Sequence, residues 1–273
     1  MKLLLPTLLI FLLLSCTMDN NQAKHGVVIT SPEAAEMYVA IAGVKNILAV
    51  TDECNFPPEL KQKPSIGKFG TVSFERIINL QPELVITTDL EQASLNEKLK
   101  KLGISTLVLY PQRISEISEA MITLGKETGF NKQAEQVATT FKAVLDSLEM
   151  EHPYRPRVYV EIYGVPLMSV SDSSLVGDII SFAGGDNIFA SLPRPYSRIK
   201  PEAVIDAAPD IILICYPGQT VENIIARKGW DTIPACINGR IYTLNDFDVD
   251  LILRGGPRVI EGIRQLRKLF FLQ

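Results

Sequence analysis

Apolar residues fall in short blocks along most of the chain. Val27-Val28-Ile29, Ile47 to Val50, Leu84-Val85-Ile86, Arg157 to Ile162, Ile211 to Cys215 and Ile241 to Leu244 predict strands, several of them solidly apolar and so buried on both faces. Thr106 to Tyr110 predicts another, stopped by Pro111. Between these blocks the apolar spacing turns helical. Ser31-Pro32-Glu33 starts a helix with a capping hydroxyl, a Pro in the first turn and an acid that complements the helix dipole, and Gly43 ends it. A helix of about 95–102 ends at Gly103, another begins near Ser174, and a short one covers about Val221–Arg227. Ile114, Ile117, Met121 and Leu124 share one face as far as Gly129. Ala134, Ala138, Phe141, Leu145 and Leu148 continue the period from Asn131, predicting an amphipathic rod mid-chain. Val259, Ile263, Leu266 and Phe270 mark a packed helix at the end. Strands alternating with helices predict parallel sheets covered on both sides.

The pattern occurs twice. Ser73 to Ile86 reads as a short helix, a Pro-marked turn and a buried strand, and Lys200 to Leu213 reads the same way. Glu75 stands seven residues before Pro82, as Glu202 does before Pro209. Ile41-Ala42-Gly43-Val44-Lys45-Asn46-Ile47 matches Phe182-Ala183-Gly184-Gly185-Asp186-Asn187-Ile188, in the same order within each half. Two copies are too few for a solenoid and imply two related lobes. The fold class is therefore α/β, with two small lobes on either side of the central helical stretch. The boundaries are 25–111 for the first lobe, 112–152 for the interlobe segment and 153–273 for the second.

The net charge of -4 over 273 residues argues against a nucleic-acid partner, which favours a basic face. Zinc-type Cys/His spacing, a P-loop and GxGxxG are all absent from the chain. A positive start, Met1-Lys2, precedes an apolar run from Leu3 to Leu14 that is too short to span a bilayer and suits a secretory signal, 1–15. The run ends Leu13-Leu14-Ser15-Cys16, which resembles the bacterial lipoprotein processing box; that resemblance makes Cys16 the lipid-bearing residue, with 16–24 a polar tether. Cys54, Cys215 and Cys236 remain, and an exported chain permits a disulfide or buried thiols.

Asn46-Ile47, Ile66-Gly67-Lys68-Phe69-Gly70, Ser73-Phe74-Glu75-Arg76-Ile77, Pro82 to Ile86 and Pro209 to Ile212 together resemble the helical-backbone class of substrate-binding proteins that serve ABC importers of cobalamin, haem and ferric siderophores. Asn55-Phe56-Pro57-Pro58-Glu59 and Arg254-Gly255-Gly256-Pro257-Arg258 are similar to its cobalamin-binding branch. The resemblance implies a cleft between lobes held by a rigid interlobe helix. It also implies a monomeric, non-enzymatic receptor without a cofactor of its own, tethered to the cell envelope and delivering its ligand to a permease and its ATPase. Glu75 and Glu202 take the positions of the two glutamates that meet permease arginines. The ligand would contact Phe56, Phe69, Tyr196, Asp250 and Arg254. Phe69 and Tyr196 also pair in the repeat, each six residues before its glutamate. Some relatives carry Trp near these two positions. The alternative ligand is haem or a ferric siderophore: Arg194, Arg198 and Arg254 could cradle an anion, and Tyr163 or Tyr196 could hold iron. His25 and His152 fall near the tether and the end of the central helices, away from the motif loops, so a His-based catalytic set is not expected.

Overall fold

The computed structural model describes residues 26–89, 92–149 and 153–271. The signal and tether segments, Cys16, His25 and His152 lie outside the described residues. The first lobe contains β1 (Val27–Ile29), α1 (Pro32–Ala42), β2 (Ile47–Val50), a small antiparallel pair β3 (Gly67–Lys68) and β4 (Thr71–Val72), α2 (Phe74–Leu80), β5 (Leu84–Thr87), α3 (Ala93–Lys101) and β6 (Ser105–Val108). Two helices follow, α4 (Ile114–Thr128) and α5 (Asn131–Ser147). The second lobe runs through β7 (Arg157–Glu161), β8 (Tyr163–Gly164), β9 (Leu167–Val170), α6 (Leu175–Ala183), β10 (Asp186–Asn187), β11 (Tyr196–Arg198), α7 (Pro201–Ala207), β12 (Ile211–Ile214), α8 (Val221–Ile225), α9 (Pro234–Ile237), β13 (Ile241–Tyr242), α10 (Asp250–Leu253) and α11 (Val259–Phe271).

The internal repeat is a repeat of topology. One parallel sheet has the order β2-β1-β5-β6 and the other β10-β7-β12-β13, with corresponding strands in corresponding places. The helices α2 and α7 are seven residues each and end on a left-handed residue, Gln81 at φ 48° and Ala208 at φ 43°. Each of these residues precedes a proline, whose ring disfavours the right-handed helical region for the residue before it. The left-handed cap stops the helix and turns the chain into its strand, at about 1 kcal/mol of backbone strain for a non-glycine residue.

Two features depart from the sequence expectation. The second lobe carries an antiparallel sheet, β11-β9-β8, whose outer strands, of three and two residues, are too short to display a period of two. The central rod is a hairpin. Gly129 takes a left-handed turn at φ 78°, and α5 folds back on α4. Gly125 permits the close approach, since a Cβ there would stand 2.2 Å from that of Ala134.

The hairpin welds the lobes. Both its helices pack on α1, and α4 also reaches α6. Asp178 of α6 accepts from the Ile114 amide at 2.8 Å and pairs with Arg113 at 2.7 Å. Arg267 of α11 donates to the carbonyls of Leu148 and Phe182. Strand alternation sends Val28 and Val85 to one outer core, and Ile212 and Ile214 to another. The inner faces share a single core containing Ile29, Ile86, Ile117, Met121, Phe141, Leu213, Val259 and Ile263.

A polar clasp closes the same interface. Glu36 of α1 is 4% exposed and accepts from Arg254 at 3.0 Å and from Arg258 at 2.6 and 2.9 Å. Burying charges is costly, so the clasp specifies the lobe angle more than it adds net stability. Glu36→Ala strips the buried Arg258 guanidinium of its close carboxylate partner, while Arg254 keeps Asn55, Glu53 and Asp250, and should cost about 3 kcal/mol in chemical denaturation; an unchanged midpoint contradicts this reading. Small-angle scattering should show no compaction on saturation with either ligand implied by the resemblance, cyanocobalamin or haemin, whereas a large ligand-driven decrease in radius would mean that the lobes hinge.

Candidate ligand cleft

Loops and helix starts that follow the C-terminal ends of strands in both lobes line a common cleft of about 520 Å³. Pro32-Glu33 follows β1, Glu53 follows β2, Tyr110 to Gln112 follow β6, and Asp250, Leu253, Arg254 and Gly255 follow β13. Open α/β sheets bind ligands at such edges. Four residues expected from the sequence meet here: Phe69, Tyr196, Asp250 and Arg254.

Phe69 sits at the tip of the β3–β4 hairpin, half-buried. The hairpin closes tightly because Gly67, at φ 107°, has no Cβ to press on the Thr71 carbonyl, 2.7 Å from where one would lie. The tip is held on both sides of its peptide. The Phe69 amide donates to Glu53 Oε2 at 2.8 Å, and its carbonyl accepts from Gln92 Nε2 at 3.3 Å. Gln92 is itself buried and bonded to Thr30 and Thr88. From the second lobe Tyr196 enters on β11, opposite Val170 of β9, and is 37% exposed.

Arg254 lines the cleft but spends its terminal nitrogens inside the protein. Nη1 donates to Glu36 and to Asn55 Oδ1 at 2.9 Å; Nη2 donates to the Glu53 carbonyl at 3.2 Å and pairs with Asp250 at 2.6 Å. Phe56 is not among the cleft-lining residues. Its ring lies under the Arg258 guanidinium, 4.0 Å from the centroid, where cation–π attraction holds the loop against the clasp. Arg194 and Arg198 are exposed and outside the lining, and Tyr163 belongs to a different cleft. Glu75 and Glu202 are exposed, each the second residue of its short helix, one on each lobe.

Glu33, Glu53 and Tyr110 line the cleft without having been singled out in the sequence. Each follows a strand end, and that position was the available signal. Three carboxyl groups, Glu33, Glu53 and Asp250, thus line the space with one guanidinium; Asp250 is paired with it at 2.6 Å, so the acidic excess lies on Glu33 and Glu53. Burial raises the Glu33 carboxyl above its ordinary range; hydrogen bonding to its own backbone and to Ser31, and then the charge of Arg254, only partly offset this. Cys54, Cys215 and Cys236 are free and buried, and none is among the lining residues; burial pushes Cys54 to about 11 and Cys215 to about 12, which keeps both as inert thiols.

Paired α/β lobes, a helical weld and a cleft at the strand ends define a ligand-capturing frame. The chain belongs to the periplasmic binding protein family, whose model matches residues 27–246. It is similar to the vitamin B12-binding protein of Vibrio parahaemolyticus, 25% identical over 94% of this chain and 92% of that protein. It is 24% identical to an uncharacterised ABC transporter substrate-binding lipoprotein of Bacillus subtilis, over 88% of this chain and 78% of that one. Among solved structures, the periplasmic haem-binding protein of Roseiflexus sp. RS-1 superimposes with a TM-score of 0.81 at 21% identity, covering 90% of this chain and 98% of that one; the likeness is one of fold.

The raised Glu33 carboxyl gives a signed prediction. The folded protein holds that proton more tightly than the unfolded chain, so its contribution to stability is complete below the usual carboxylate range and is lost as pH rises through the raised value. Glu33→Gln should therefore stabilise at neutral pH, with the gain vanishing near about pH 4. An equal gain at both pH values contradicts the assignment.

Proposed function

We propose that the protein is the substrate-binding lipoprotein of an ABC importer and that it captures cobalamin or a related corrinoid. The observation that carries this reading is the makeup of the cleft: aromatic side chains, three carboxyl groups and an arginine committed to its own neighbours. A corrinoid is a broad, flat ring edged with neutral amides. Phe69, Tyr110 and Tyr196 offer apolar area to the ring, and carboxylates accept from amide N–H groups. The propionates of haem, or a ferric catecholate, would meet Glu33 and Glu53 instead, the lining carboxyl groups that Arg254 does not pair, and like charges repel. Arg194 and Arg198, which would have to favour the anion, stand off the cleft. The vitamin B12-binding relative supports the same ligand.

In this role the protein binds and hands over its ligand without chemistry. Cys16 anchors it to the bacterial cell envelope. Glu75 and Glu202 present one carboxylate per lobe to basic residues of the permease, and such paired charges steer encounter and orientation more than they add affinity.

The reading predicts one-to-one calorimetric binding of cyanocobalamin by the soluble form starting at Thr17. Phe69→Ala and Tyr196→Ala should each weaken it about tenfold, the loss expected for one aromatic contact. Unchanged affinity in both variants would remove them from the site.

A further inference from the structure

A second cleft, of about 1000 Å³, lies in the C-terminal lobe beside Glu202. Its wall exists in only one of the two repeat copies. In the first lobe β1 passes through Thr30 and Ser31 directly into α1, whereas in the second the β8–β9 hairpin is inserted between β7 and α6. That hairpin carries Tyr163, 52% exposed, and Val165, 86% exposed. Ile205 of α7, Tyr216 and Trp230 complete an apolar lining. Tyr163 and Tyr216 stand with ring centroids 6.3 Å apart.

The floor is built and fixed. Glu161 is fully buried and accepts from both terminal nitrogens of Arg227 at 2.6 and 2.7 Å, from Tyr159 at 3.0 Å and from Tyr216 at 2.5 Å. Arg227 also covers the Trp230 ring at 4.5 Å. The charges beneath the floor cancel. Two others line the cleft: Glu202, and Lys228, an exposed side chain whose long stem lets its ammonium turn to water.

We propose that this cleft receives an apolar side chain of the importer's permease, next to a basic residue that reaches Glu202. The proposal rests on the reading of Glu202 as a docking residue and adds what the two glutamates lack. A body with matched acids on two similar lobes presents nearly the same charges when turned by half a rotation. The hairpin cleft is present beside Glu202 and has no counterpart between β1 and α1, so it distinguishes the two orientations. Exposed apolar groups rimmed by polar ones mark interaction surfaces, and an anchor seated in a preformed apolar pocket supplies affinity that charge pairs do not.

The test compares Val165→Asp with Glu202→Ala, both first shown to keep the wild-type thermal midpoint and cyanocobalamin titration. Binding to the cognate permease–ATPase complex in nanodiscs is then measured at low and high salt. Val165→Asp should weaken binding at least tenfold at both salt concentrations, while the loss in Glu202→Ala should shrink in high salt. Wild-type binding by Val165→Asp overturns the proposal, whatever Glu202→Ala does. Weakened binding by Val165→Asp with wild-type binding by Glu202→Ala supports the cleft as a contact and removes the glutamate from docking. Sedimentation that shows a dimer of the wild-type protein alone, lost in Val165→Asp, overturns the proposal in favour of a second copy of this chain as the occupant.

Discussion

Ile29 and Ile86 from one sheet, Ile117 and Met121 from α4, and Val259 and Ile263 from α11 lie in one buried cluster that runs through both lobes. Opening the lobes like a hinge would pull this core apart, and close-packed interiors do not stretch. Water would have to enter against a cost of roughly 25 cal/mol for each Å² of apolar surface exposed. The hairpin strengthens the weld because Gly125 lets α5 lie tight against α4, and both helices pack on α1. The buried Glu36 clasp then sets the angle, since two guanidiniums from one lobe have to meet one carboxylate of the other. A frame of this kind binds through a cleft that is already shaped.

That frame also decides what the cleft can recognise. Arg254 does two jobs that compete. Its terminal nitrogens hold Glu36, Asn55, Glu53 and Asp250 together, so the groups that would otherwise attract an anion are consumed in joining the lobes. Asp250 is spent on Arg254 in turn, and the first-lobe carboxyl groups of Glu33 and Glu53 remain lining the space. The same contacts that stiffen the interface thereby turn the cleft toward ligands with neutral, hydrogen-bond-donating edges. Affinity then comes from aromatic area and preorganisation, since a preshaped site loses little conformational freedom on binding.

The duplicated topology was legible because its causes are local. A proline after each short helix forces the left-handed stop at Gln81 and Ala208, and strands buried on both faces read as unbroken apolar blocks. Phe69 and Tyr196 were legible because the repeat paired them. Other features depend on contacts between distant parts of the chain. Gly129 signals the end of α4, but the direction of α5 is decided by the fit of Gly125 to Ala134. Glu33 looks like an ordinary first-turn acid until the second lobe is placed across from it. Phe56 and Arg254 carry the resemblance to corrinoid binders, yet Phe56 packs under Arg258, and Arg254 is bound to Glu36, 218 positions away. The β8–β9 hairpin is not legible because β8 has two residues, too few to show a period, and β9 has four.

The most direct measurement is a competition in one neutral buffer, with the soluble protein saturated with cyanocobalamin and then titrated with haemin. An acidic cleft on a rigid frame predicts that excess haemin leaves the corrinoid bound. Stoichiometric displacement of cyanocobalamin by haemin would show that the carboxyl groups of Glu33 and Glu53 do not govern ligand choice, and would contradict the account.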